Sequence, residues 1–177
     1  PELFRKMQPY LLAVNLNGQP LGAFTADVRG ESVSVAQIVL NLGVDDNGTA
    51  SVNAQDITQA SIYDANGKVV AGPVDGASAR TLTFTDTITF PVGKNVYTLK
   101  GKYGTDLASN NTVQASTTPS TDWTTVRGVA TGETVTPSPT SAVSLSTMTI
   151  KAAALTISVS SDPPAQNVVS GTQKFTF

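Results

Sequence analysis

The 177-residue sequence contains neither cysteine nor histidine. Without cysteine the chain forms no disulfide bond, and it offers neither a thiolate nucleophile nor a cysteine ligand for zinc. Without histidine a serine nucleophile lacks its most common general base. Ser–Lys pairs and paired carboxylates stay open because serine and aspartate are spread along the chain, but no grouping of them marks a site. We therefore expect no enzyme activity, no catalytic residue and no cofactor.

Charged residues are also scarce: they make up 14% of the chain, with a formal net charge of −2, whereas about a quarter is typical of soluble domains. This charge gives no electrostatic footprint for nucleic acid or for an anionic membrane surface. No apolar run approaches the roughly 20 residues that cross a bilayer. The sequence therefore predicts neither nucleic-acid binding nor a membrane span.

Serine and threonine are abundant, and 14 glycines and 10 prolines accompany them. Threonine favours strands because its branched Cβ fits a pleated surface, while glycine and proline mark turns. Together with few lysines and glutamates, this composition is typical of secreted bacterial surface proteins, and a large sandwich needs no disulfides. We expect an extracellular protein at the cell surface. The opening Pro-Glu-Leu-Phe, without Met or signal peptide, favours a processed or excised portion of a longer polypeptide.

Apolar residues alternate with polar ones in many short runs, which is the period of a half-buried β-strand. Asn17-Gly18 and Asn66-Gly67 supply turn signals between them, and residues 106–121 are predicted to be a polar loop. Roughly eight to ten short strands at regular spacing are typical of a β-sandwich. The runs lie at residues 10–16, 24–28, 32–42, 60–63, 68–70, 82–90, 97–103, 123–130 and 143–150.

Two of these runs carry a further expectation. In residues 32–42 the apolar phase changes at Ala36-Gln37, which predicts a bulge or a change of sheet because a one-residue slip reverses every side chain. In residues 97–103, Lys100 and Lys102 lie opposite the apolar face, which suits a solvated face or an edge strand.

A boundary follows Lys151, where Leu155, Ile157 and Val159 begin a new alternation. The sequence therefore divides into an N-terminal segment of uncertain role at residues 1–19, a β-sandwich at 20–151, and residues 152–177. The last segment is predicted to be the start of a next repeat or a strand that pairs with a neighbouring subunit.

Several stretches resemble the Ig-like repeats of very large bacterial surface proteins. They are ASIYDANGKVV at residues 60–70 and FTDTITFPVGK at 84–94, while MTIKAAALTISV at 148–159 and QNVVSGT at 166–172 resemble the junction between repeats. The resemblance covers roughly residues 24–177. It implies an immunoglobulin-like antiparallel β-sandwich, all-β, in a tandem array that is S-layer-like or filamentous, and it supplies no catalytic residues.

Two functions follow as hypotheses. The first is a structural module of a bacterial surface layer or filament that self-associates with identical or tandem subunits through sandwich contacts or strand addition. The alternative is an adhesin or carbohydrate-binding module in a tandem array. Trp123, the only tryptophan, could stack on a sugar, although a lone tryptophan in a sandwich more often packs in the core. Glycans are thus a possible partner. The Asn-X-Thr patterns at 47–49 and 110–112 match the attachment signal, but in a bacterial chain such patterns are mostly coincidence, and Asn47-Gly48 is first a turn signal.

Residues 45–56 form a candidate calcium loop. Oxygen-bearing residues stand at the first, third, fifth, ninth and twelfth positions of an EF-hand-like spacing; they are Asp45, Asn47, Thr49, Asn53 and Asp56. However, Ala50 occupies the sixth position, where the sharp turn requires glycine, and the twelfth residue is not the bidentate glutamate. We therefore predict a turn rich in Asp and Asn between strands, with no metal ligands.

Overall fold

A computed structural model of the chain describes residues 12–46 and 53–151. Within these ranges there are one 3₁₀ turn at Ala54–Asp56, one helical turn, α1, at Pro119–Asp122, and eleven strands. The strands are β1 (Gln19–Val28), β2 (Val33–Asp45), β3 (Ile57–Tyr63), β4 (Val69–Val74), β5 (Thr81–Phe84), β6 (Ile88–Phe90), β7 (Gly93–Tyr103), β8 (Thr112–Thr117), β9 (Trp123–Gly128), β10 (Val143–Ser144) and β11 (Met148–Thr149).

The strands form two antiparallel sheets that pack face to face. The first has the order β1-β7-β3-β4. In the second, β2 is central, with β5 and β6 on one side, β8 and β9 on the other, and β10 and β11 beyond β8. The prediction of an all-β sandwich is therefore confirmed.

The core lies between the two sheets and is built from the inward residues of each alternating strand. On β7, for example, Tyr97, Leu99 and Tyr103 are buried, whereas the lysines between them are only partly covered. The largest fully buried side chains are Tyr103, Phe84, Phe90, Leu12, Leu21, Ile38, Leu40, Ile57, Ile62, Leu82, Ile88 and Leu99.

The phase change at Ala36-Gln37 has a structural cause. Val35 lies opposite Ile88 of β6, and Ile38 lies opposite Phe84 of β5. From Val35 to Ile38, β2 advances by three residues, while the strands opposite it advance by four, from Phe84 to Ile88. The additional residue lies in the connection between β5 and β6. The predicted irregularity exists, but β2 is one continuous strand from Val33 to Asp45 and stays in one sheet, so no change of sheet occurs.

Two local predictions were wrong, and a third holds in only one of its two forms. Residues 12–16 form no strand: Leu12 makes a single bridge and is buried, while Leu16 is 55% exposed. Residues 106–121 are not one loop, because β8 lies within them and buries Val113 and Ala115. The lysine row does not mark an edge, because β7 lies between β1 and β3. The solvated-face alternative is not contradicted, since Lys100 and Lys102 are partly exposed, and Lys100 Nζ lies 4.8 Å from the centre of the Tyr63 ring.

The sandwich has two poles, which matter for the site below. At the first pole, Leu12 and Ile150 form a parallel bridge, and the Asn110 N–H donates to the carbonyl of Ile150 at 2.8 Å. At the second pole lie the β1–β2 turn, the β6–β7 turn and the turn after β9, because Val28 pairs with Gly93 and Val33 with Gly128. The described residues do not include Tyr10, where the predicted strand at 10–16 begins. They also do not include residues 152–177, which are predicted to begin a next repeat or to pair with a neighbouring subunit.

Candidate functional site

A groove of about 570 Å³ opens near the second pole, at the seam where the edges of the two sheets lie side by side. We call it the seam groove. Its walls are residues 25–31 of β1 and the turn after it, Val33 and Val35 of β2, Phe90 of β6, Pro119 of α1, Trp123 and Val126 of β9, and residues 135–138.

One wall of the seam groove is an unpaired strand edge. Among the described residues β1 pairs with β7 alone, so no strand lies against its outer side. Thr25 and Asp27 point to solvent, while Phe24, Ala26 and Val28 are partly buried and pack on the core. An unpaired edge presents a row of backbone donors and acceptors to any strand that approaches it.

The other wall is closed by a short return of the chain. Arg127 of β9 bridges to Thr134, and the Val135 N–H donates to the carbonyl of Val126 at 2.9 Å. The outer edge of β9 is therefore already occupied near this point. Of the two strand edges that meet at the seam groove, β1 is the one open to pairing within the described structure.

Four aromatic rings join the two sheets beneath the seam groove, and two of them, Phe90 and Trp123, form its floor. Trp123 stacks on Phe90 with ring centroids 5.4 Å apart and planes 11° apart, and it meets Phe24 edge-on at 6.1 Å. Tyr97 stacks on Phe24 at 5.5 Å and meets Phe90 edge-on at 5.0 Å. Such offset and edge-to-face pairs are the arrangements that ring quadrupoles favour.

Trp123 belongs both to the core and to the seam groove. Its indole N–H donates to the Thr117 hydroxyl at 3.1 Å, and the residue is only partly buried. The prediction that it packs against the core is supported by its contacts with Phe24 and Phe90. Because the remaining surface of Trp123 lines the groove, its fluorescence reports directly on anything that enters.

A carboxylate fixes the rim of the seam groove at the second pole. Glu31 accepts hydrogen bonds from the Thr131 hydroxyl at 2.6 Å, the Ala130 N–H at 2.6 Å and the Thr131 N–H at 3.1 Å. These bonds, chiefly that from the hydroxyl and then that from the Ala130 N–H, hold the pKa of Glu31 below its ordinary value. Sequence reasoning missed this contact because 100 residues separate the partners.

The remaining charges on the β1 side of the rim are paired with each other. Arg29 lies 3.4 Å from Asp27, and both side chains are exposed. Such a surface pair contributes little to stability. The pair matters for binding. Arg29 and Asp27 interact with each other and Glu31 accepts hydrogen bonds within the chain, so none of the three needs a charged partner, and the rim is compatible with an uncharged segment.

Replacing Glu31 with glutamine is expected to loosen the turn after β9 near neutral pH and to change little in acid. The folded-state pKa lies below the unfolded value of about 4.3, so the stabilisation is present above that value and is lost as the pH falls through the folded pKa. Hydrogen exchange of the Ala130 and Thr131 amides at about pH 7 and about pH 3 measures it.

The matched control is Glu133→Gln, which removes the same charge from the same turn without removing the acceptor of those amides. It should leave their protection unchanged at both pH values. Equal exchange in wild type and Glu31→Gln near neutral pH would contradict this role of Glu31.

Only part of the candidate calcium loop at residues 45–56 lies within the described residues. Asn53 and Asp56 cap the 3₁₀ turn: the Asn53 side chain accepts from the Gln55 N–H at 3.0 Å, and the Asp56 carboxylate accepts from the Asn53 N–H at 2.7 Å. Asp45 ends β2, and Asn47 and Thr49 lie outside the described residues. Two of the five candidate ligand residues therefore have a structural role in a capping box.

In residues 12–46 and 53–151, no three His, Cys, Asp or Glu side chains group so as to hold a metal ion. The same ranges contain no helix long and apolar enough to cross a bilayer. No family model matches the chain, and no curated protein or solved structure is significantly similar to it. The Ig-like repeat resemblance therefore stays a prediction.

Proposed function

We propose that this chain is a structural module of an extracellular surface layer or filament, and that its copies associate by β-strand addition. The observation that carries the proposal is the outer edge of β1, which no strand covers within the described residues. At the start of β1 the Pro20 carbonyl already accepts from the Tyr103 hydroxyl and Gly22 lies against Leu145. The six residues from Ala23 to Val28 leave an edge about 20 Å long at the rise of an antiparallel strand. An added strand would gain main-chain hydrogen bonds there, each worth about 0.5–1.5 kcal/mol net.

The seam groove supports the same proposal, because strand addition requires pockets for alternate side chains as well as a backbone edge. The groove lies directly beside Thr25 to Val28. Its floor contains Phe90 and Trp123, so an incoming apolar side chain would leave water for an aromatic surface. Burial of one such side chain is worth about 1.5–3 kcal/mol.

The path of the chain at the first pole supports a load-bearing role. Leu12 and Ile150 are 1% and 0% exposed and bridge in parallel, so the chain crosses the bridge in the same direction at both residues. Tension between the chain before Leu12 and the chain after Ile150 would pull along the bridge rather than peel it open.

A carbohydrate-binding role is the second candidate, and one observation favours it: Trp123 contributes part of its surface to the seam groove. A sugar ring stacked there would change the emission of the single tryptophan. This candidate predicts saturable changes in Trp123 fluorescence with a glycan and no self-association.

The test is light scattering with negative-stain imaging of the full chain over a range of concentrations, with and without calcium. Filaments, sheets or concentration-dependent oligomers are expected. Thr25→Lys places a charge beside the open edge of β1 and should reduce assembly. The matched control is Val69→Lys, an exposed position on β4, the opposite edge of the same sheet, which should assemble like wild type.

A monomer at every concentration would overturn the proposal, and a fluorescence response to glycans would then favour the second candidate. Equal loss of assembly in the Thr25→Lys and Val69→Lys variants would leave self-association standing but remove β1 as its site. Assembly that requires calcium would support a calcium site in the loop between β2 and β3.

A further inference from the structure

We propose that the seam groove receives residues Leu155–Val159 of a second copy of this chain, laid as a strand against β1. This inference deepens the proposed function and rests on it, since both require copies of the chain to associate. It specifies the donated segment and the surface that accepts it, and it states that donor and acceptor are different molecules. Residues 152–177 lie outside the described part of the chain, so the argument uses their sequence alone.

The first argument is the match of pattern and length. In an extended strand, Leu155, Ile157 and Val159 point to one side and Thr156 and Ser158 to the other. The three apolar residues span about 13 Å, four steps of a strand. The groove wall from Thr25, near the end of β1, to Arg29, the first residue after it, also covers four steps. The apolar side of the segment then faces the aromatic floor, and its hydroxyl side faces solvent beside Thr25.

The second argument is charge. Leu155–Val159 carries no charged residue, and a segment buried in a groove cannot easily satisfy an unpaired charge on its walls. Arg29 and Asp27 pair with each other at 3.4 Å. Glu31 accepts three hydrogen bonds from Ala130 and Thr131. The rim is therefore compatible with an uncharged strand.

The third argument is reach, and it makes the donation intermolecular. β11 is antiparallel to β8, so the chain approaches Ile150 and Lys151 travelling toward the first pole, away from the seam groove. From Lys151, four residues reach Leu155, at most about 14 Å of extended chain. Thr25 lies six strand residues, about 20 Å, from the start of β1 at that pole. Leu155 of the same molecule therefore falls short, because its chain must first reverse.

The first experiment uses neighbouring substitutions in the donated segment, which lies outside the described fold. Ile157→Asp places a carboxylate on the side that faces the groove, and Thr156→Asp places the same charge on the solvent side. We expect Ile157→Asp to weaken association about tenfold or more, since a buried unpaired carboxylate is costly. Thr156→Asp should associate like wild type. Trp123 emission should shift with concentration in wild type and Thr156→Asp but not in Ile157→Asp.

The second experiment exploits the absence of native cysteine. Full-length chains carrying Thr25→Cys are mixed with size-tagged chains carrying Thr156→Cys or Ser158→Cys and treated with a short thiol cross-linker. Heterodimers can form only between molecules, and we expect them from these mixtures. Val69→Cys on β4 replaces Thr25→Cys in the control, which should yield none above background.

The outcomes separate this inference from the proposed function. If the Ile157→Asp and Thr156→Asp variants assemble equally and no heterodimer forms, self-association stands but the proposal that Leu155–Val159 is the donated segment is overturned. Cross-links only between two Thr25→Cys chains would indicate pairing of β1 with β1 and would also overturn it. Specific heterodimers from a chain that forms no larger assembly would support Leu155–Val159 as the donated segment and would contradict assembly into a layer or filament. A monomer without heterodimers would overturn both.

Discussion

Replacing Gly76 with alanine is expected to destabilise the sandwich by about 3 kcal/mol or more. A Cβ at this position would lie 1.8 Å from the carbonyl oxygen of Ala54 and 2.7 Å from its carbonyl carbon. Both are backbone atoms of the 3₁₀ turn, so no side-chain rotation relieves the overlap. The Gly76 N–H also donates to the carbonyl of Ile57 at 2.8 Å, which ties the two segments together at the close approach.

The matched control is Gly43→Ala, the same substitution within β2. There a Cβ would meet only the carbonyl oxygen of Gln114, at an ordinary contact distance of 3.7 Å. Alanine in a strand interior avoids the entropic cost of glycine, so this variant should be neutral or more stable by about 0.5–1 kcal/mol. Chemical denaturation of both variants measures the difference. Equal stabilities would contradict the close approach at Gly76.

Much of the sheet structure could be predicted from the sequence, because the period of two is a local signal. The hairpin between β3 and β4 is an example: Asp64 accepts from the N–H groups of Asn66 and Lys68, both at 2.9 Å, as the turn residues indicate. β8 was missed because its inward residues Val113 and Ala115 are small and are surrounded by threonine, serine and asparagine. Alternation was present there, but its contrast in hydrophobicity was low.

The seam groove could not be predicted, because it depends on which strands lie at the edges of the sheets. Glu31 and Thr131 have no local pattern that pairs them, and Gly76 resembles any glycine in a turn. Trp123 was singled out for its rarity alone, and its position beside the edge of β1 follows from the pairing of β9 with β2. Edge strands are a property of topology, which a single sequence specifies only through long-range packing.

Replacing Phe90 with alanine is expected to cost about 3–5 kcal/mol of stability, the range for a buried phenylalanine. Phe90 is 2% exposed and contacts rings from both sheets, Tyr97 at 5.0 Å and Trp123 at 5.4 Å between centroids. Its loss leaves a cavity beneath the seam groove and removes the stacked partner of Trp123. Thermal or chemical unfolding gives the stability, and the folded variant should show a red-shifted Trp123 emission.

Two further variants separate the sources of that effect. Phe90→Leu keeps most of the buried apolar volume but loses the ring contacts, so it should cost about 0.5–1.5 kcal/mol. Val92→Ala, two residues away and 54% exposed, should change stability by no more than about 0.5 kcal/mol. A Phe90→Ala variant as stable as Val92→Ala would contradict the aromatic floor. A leucine variant that folds stably but no longer assembles would instead show that the rings serve the seam groove more than the core, because its core packing is largely retained.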